Sequence, residues 1–142
     1  MSPISSRRPR YFAIASRSLP PLLYTRSERS QFALAVLLPI SFGVITGLAL
    51  GWSEPVYLVL LVLGVVGGIG AGLEHDAPID GFYRGLLAGL LFTTGILVAH
   101  GLADVEPEAE LPDPRELLLL INGVLGAAFG ALGARIRRRR AP

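Results

Sequence analysis

The chain has 142 residues, 51% of them hydrophobic and only 17% charged, with 13 basic side chains against 11 acidic ones and a formal charge of +2. A soluble domain of this size needs far more polar surface to cover its core, so the composition excludes an ordinary soluble globular fold. Cysteine is absent, which excludes disulfides, thiolate metal sites, iron–sulfur clusters and cysteine nucleophiles.

Every basic residue is an arginine, and most lie towards the two ends. Residues 1–30 hold Arg7, Arg8, Arg10, Arg17, Arg26 and Arg29 against one acid, Glu28. Pro3, Pro9, Pro20 and Pro21 leave room for only one short helix, over about 10–19. Two readings fit this composition. One is a basic arm whose arginines touch anionic lipid headgroups, each adding about 1 kcal/mol near the surface. The other is an organellar transit peptide, which is likewise rich in arginine and serine. The prolines favour the arm.

Beyond it come runs free of Asp, Glu, Lys and Arg at 30–53, 55–73, 85–103 and 117–134. Roughly 20 helical residues cross the ~30 Å hydrocarbon layer, and lipid offers the backbone no outside hydrogen-bond partner. The sequence therefore predicts an all-α integral membrane fold of four transmembrane helices, over about 31–52, 55–73, 82–103 and 114–134. These form one domain, 31–135, between the arm at 1–30 and a basic tail at 136–142.

The first helix carries Pro39, which should kink it; Ser41 or a neighbouring helix is expected to satisfy the freed carbonyl. The turn to the second helix is short enough to demand an antiparallel hairpin, flanked by Trp52 and Tyr57 as an interfacial belt. Ser53, Glu54 and Pro55 mark the second helix start. Next comes a polar loop holding Glu74, His75, Asp76 and Asp80, with Arg84 following. An imidazole among carboxylates is a candidate metal or proton-handling site, although the spacing matches no strong metal motif. The plainer expectation is a hydrated loop in which Asp80 caps the third helix and lies one turn from Arg84.

Thr93 and Thr94 lie inside the third helix and His100 near its end, where an imidazole is expected to meet water and headgroups. The acidic loop 104–115 leads to Asp113, Pro114 and Glu116, a capping pattern that should start the fourth helix. Asn122 follows within that helix and needs a partner, an interhelical hydrogen bond or a ligand. The chain then runs into Arg135, Arg137, Arg138, Arg139 and Arg140. Burying any of these at mid-membrane would cost roughly 3 kcal/mol, so both chain ends are expected in the cytoplasm. No acidic or basic group is expected within the membrane, which disfavours proton- or sodium-coupled transport by a lone subunit.

Glycine supplies the packing signal. Gly43, Gly47 and Gly51, then Gly64, Gly68 and Gly72, then Gly81, Gly85 and Gly89, and finally Gly126 and Gly130 each recur every fourth residue. Residues so spaced share one helix face, so each helix should carry a stripe where another backbone can approach. The runs at 64–68 and 123–127 also resemble one another, as a parallel duplication of a hairpin would.

These features point to a non-catalytic membrane protein, an accessory, scaffold or assembly subunit forming homo- or hetero-oligomers. The alternative is an oligomeric channel or carrier routed past Asn122, Thr93 and Thr94. A weaker third reading is an enzyme using Glu74, His75, Asp76 and Asp80. No cofactor and no nucleic acid is expected, the basic tail being more simply a topology anchor. The expected location is a bacterial plasma membrane or, with a transit peptide, the mitochondrial inner membrane.

Overall fold

The computed structural model describes residues 19–141, so most of the expected basic arm, including the helix at about 10–19, lies outside the described residues. Those residues form helices and no strands. After a short 3-10 turn at Leu23–Thr25 come α1 (Glu28–Leu50), α2 (Glu54–Gly72), α3 (Pro78–Ala103) and α4 (Leu117–Arg140). All four are long and apolar enough to cross a membrane.

Several boundaries differ from those the sequence suggests. α3 begins at Pro78, with Ala77 at the N-cap and no side-chain capping bond. Proline's fixed φ suits the first helical turn, so Asp80 sits inside that turn, favourably placed for the helix dipole but not as a cap. α4 begins at Leu117 instead of Pro114, again without a side-chain cap. Its entry is a tightened turn in which Leu117, Leu118 and Leu119 donate to the carbonyls of Pro114, Arg115 and Glu116. Ser53 occupies the N-cap of α2 but its hydroxyl makes no capping bond. By contrast Ser27 does cap α1, accepting from the Ser30 N–H.

Within α1 the disturbance expected at Pro39 takes the form of a π turn, Ala33–Leu37. The Leu38 N–H bonds to the Ala33 carbonyl, five residues back. Leu34 then loses both backbone donors, since Leu38 is engaged elsewhere and Pro39 has no N–H. Arg84 of α3 supplies the replacement, donating from Nη2 to the Leu34 carbonyl. The π turn and the arginine are thus two halves of one arrangement.

α3 runs through the middle of the bundle, packed most extensively along α4 and next along α1, while α2 rests chiefly on α4. α1 and α2 follow one another across the turn at 51–53 but touch less. Approach is closest where helices meet backbone to backbone. A Cβ at Gly85 would fall on the Gly126 carbonyl, one at Gly130 on Gly81, one at Gly43 on Phe92, and one at Gly72 on Gly130. Gly95 and Gly133, outside the four-residue registers, meet the carbonyls of Ile40 and Ile69 as closely. Gly68 differs: its Cβ would lie 3.9 Å from Phe129, an ordinary contact.

At the end remote from the chain termini, Asp104 takes a left-handed conformation (φ 49°) that stops α3. The following loop folds back, and the Glu108 N–H donates to the Leu50 carbonyl at 2.9 Å. Ala109 thereby joins Leu50, Tyr57 and Ile96 in a buried cluster.

Candidate functional site

At the end bearing the chain termini, the expected polar cluster is tied down by arginines. Glu74 pairs with Arg26 at 2.7 Å, and its carbonyl accepts from the Leu23 N–H. Asp76 accepts from Arg137 Nε and from the Tyr24 hydroxyl, both at 3.2 Å. Arg137 Nη1 also donates to the carbonyls of Leu73 and Pro20, each at 2.7 Å. The segment preceding α1, the loop 73–77 and the end of α4 therefore form one polar cap. His75 is half-buried within it, and its Nε2 has no partner. Burial and, second, the positive Arg84 hold this imidazole below its usual pKa, against the opposing pull of Asp80, Glu74 and Asp76.

The expected Asp80–Arg84 pair does not form; among the described residues the ion pairs are Arg26–Glu74 and Arg137–Asp76. Nor does any group of three His, Cys, Asp or Glu side chains among them stand ready to hold a metal. Arg26 and Arg137 are the functional partners that sequence reasoning missed. They lie far along the chain from Glu74 and Asp76, and only the excess of arginine at the chain ends hinted at them.

Arg84 is a charged side chain buried between the helices. It lies within α3 and is 8% exposed. The physical reason is the early start of α3 at Pro78, which draws Arg84 into the helix body, together with the carbonyl that Pro39 leaves open. Its Nε and Nη1 have no partner. Arg84 lines a groove bounded by all four helices, with Phe42, Gly68, Phe92, Asn122 and Phe129 among its walls. Phe42 and Phe92 stack across it at 5.7 Å.

Asn122 Nδ2 donates to Thr93 Oγ1 at 2.9 Å, linking α4 to α3, and the Thr93 hydroxyl donates to the Gly89 carbonyl at 2.9 Å. Thr94 donates to Leu90 of its own helix at 2.8 Å.

His100 also departs from expectation. It is 3% exposed and its Nδ1 has no partner, so it does not meet bulk water. The loop that folds back at 105–111 covers this end of the bundle, a rearrangement that the apolar residues Val105, Ala109 and Leu111 permit.

Among the described residues, fold and site together define an all-helical bundle whose four long helices are apolar enough to cross a membrane and whose interior holds one arginine. No protein-family model, no curated protein and no solved structure matches this chain.

Proposed function

We propose that this is a non-catalytic subunit of a membrane assembly, with its helices crossing the bilayer as two antiparallel hairpins and both arginine-rich ends in the cytoplasm. Glycine stripes hold the bundle together, and the arginines of the ends contact anionic headgroups. On this reading the protein belongs to a bacterial plasma membrane; the mitochondrial inner membrane is the alternative. Two features support a non-catalytic role: Glu74 and Asp76 are engaged by arginines, and the Asn122 amide donates to the Thr93 hydroxyl oxygen.

The observation that carries the assembly reading is the bareness of α2. Only Tyr57 and Gly72 are buried along its 19 residues. Val59, Val62 and Val66 on its outward face are each about 60% exposed, and a Cβ at Gly70 would meet nothing within 4 Å. Small residues beside short branched ones are what a second transmembrane helix packs against. A channel has less support, because the walls of the central groove are mostly apolar.

Gly70→Leu tests this directly, since the open space there leaves the fold undisturbed while the side chain blocks an approaching helix. Gly101→Leu, also in open space but on α3, is the control. After gentle detergent extraction the wild type should run as an oligomer or stoichiometric complex. Gly70→Leu should reduce it to the single chain, and Gly101→Leu should not. A wild type that is a lone monomer, or an assembly indifferent to Gly70→Leu, overturns the reading.

A further inference from the structure

We propose that the central groove is a binding site for an anionic amphiphile, a phosphate or carboxylate head on a hydrocarbon chain, with Arg84 receiving the head. The inference stands apart from the assembly role, because it rests on Arg84 and the groove around it and not on Gly70.

A guanidinium does not lose its proton in a protein, so Arg84 is a cation wherever it lies. It is 8% exposed, and one of its nitrogens, Nη2, meets the Leu34 carbonyl. The N–H groups on Nε and Nη1 have no acceptor. Among the described residues no carboxylate pairs with it: Glu74, the acid whose field reaches it, is held by Arg26, and Asp80 on its own helix makes no ion pair with it. A buried charge without a counter-ion is costly, typically several kcal/mol, and an anion placed there removes that cost.

The remainder of the site selects the body of the ligand. From Arg84 the groove continues past Phe42, Phe92 and Phe129 and beside Gly64 and Gly68; a Cβ at Gly68 would meet only Phe129, at 3.9 Å. Leu38, Val62 and Leu125 line it while remaining exposed, so it opens sideways onto the apolar surface of the bundle. A hydrophilic anion gains nothing from such walls; an acyl or isoprenoid chain does.

Depth is also consistent. A helix of 26 residues such as α3 is about 39 Å long, against a hydrocarbon layer of about 30 Å. When α3 is centred, each end overhangs by about 4–5 Å. Arg84, about 9 Å from the helix start, then lies roughly one turn inside the hydrocarbon boundary. An amphiphile in the adjoining leaflet can place its head there with its chain running inward along the groove.

The test uses the full chain, delipidated in a neutral detergent and examined by native mass spectrometry with four probes: oleate, dioleoyl phosphatidate, oleyl alcohol and inorganic phosphate. Oleate, phosphatidate or both should be retained at one per chain, and which of them binds tells a free carboxylate from a phospholipid head. Oleyl alcohol and inorganic phosphate should not be retained. Arg84→Gln should weaken binding about ten- to hundredfold, the usual weight of a hydrogen-bonded charge.

Because Arg84→Gln also frees the Leu34 carbonyl and can harm folding, Gly68→Leu is the second variant. It fills the groove, keeps Arg84, and should abolish retention while helix content stays that of the wild type. Equal retention of oleate and oleyl alcohol, retention of inorganic phosphate alone, no retention of any probe, or undiminished binding by folded Gly68→Leu would each overturn the proposal.

Discussion

His75 is the titratable group whose surroundings predict a pH response. Burial is the main cause of its lowered pKa and the charge of Arg84 the second, with three nearby carboxylates pulling the other way. In the unfolded chain the imidazole titrates near its ordinary value of about 6.5. Between that value and the lower folded one, the unfolded state holds a proton that the folded state does not. Protonation therefore favours unfolding: the penalty is absent above the unfolded pKa, grows as pH falls through the window, and is complete below the folded pKa. The unpartnered Nε2 agrees with this direction, since no acceptor waits for the added proton. Thermal unfolding in detergent should show a midpoint that drops as pH goes from about 7.5 to about 5.5, and His75→Gln should flatten that slope. An identical slope in wild type and variant would place the response elsewhere. Asn122 illustrates a different case, a half-buried amide that donates from Nδ2 to the Thr93 hydroxyl oxygen and does not titrate.

At the scale of helices, glycine spacing and glycine contact prove to be different things. Gly64 and Gly68 share the four-residue register of Gly85 and Gly89, yet the first pair borders the open groove and the second meets α4 backbone to backbone. The register says which residues share a face; it does not say what the face meets. Alanine substitutions separate the two, because alanine adds a single carbon and otherwise favours helix by up to about 1 kcal/mol over glycine. Gly85→Ala puts that carbon on the Gly126 carbonyl, so α3 and α4 must move apart at a cost of about 1–3 kcal/mol or more. Gly68→Ala meets only an ordinary contact with Phe129 and should be neutral or stabilising. Unfolding followed by helical circular dichroism in a denaturing detergent should give these opposite signs. Equal losses in both variants would remove the contrast between a packed stripe and an open one.

For the molecule as a whole, what could be read from the sequence were the features carried by neighbouring residues. Each apolar run became a helix because run length and lipid-like composition are local properties. Boundaries were less legible where two start signals compete, as Pro78 does with Asp80, or where a capping pattern at Asp113 yields to a turn entering at Leu117. The site was least legible, because its cause is non-local: Arg84 is drawn inward by a carbonyl that Pro39 opens on another helix. The polar cap has the same character, since Arg137 reaches two separate segments, the loop 73–77 through Asp76 and Leu73 and the chain before α1 through Pro20. The bonds to these two segments make Arg137 the tie between the end of α4 and the chain leading into α1. Hydrogen bonds from a charged group are worth about 1.5–3 kcal/mol when the partner is left buried, and the Arg137 side chain is only 13% exposed. Losing about 2 kcal/mol raises the population of a detached arm about thirtyfold, and cleavage of a rapidly opening segment follows that population. Arg137→Gln should therefore speed trypsin cleavage after Arg26 and Arg29 by up to about thirtyfold, while helix content stays at the wild-type level. Replacing Arg138, whose side chain makes none of these bonds, should leave the cleavage rate unchanged; equal rates in the Arg137 variant and the wild type would mean that the cap is held by other contacts.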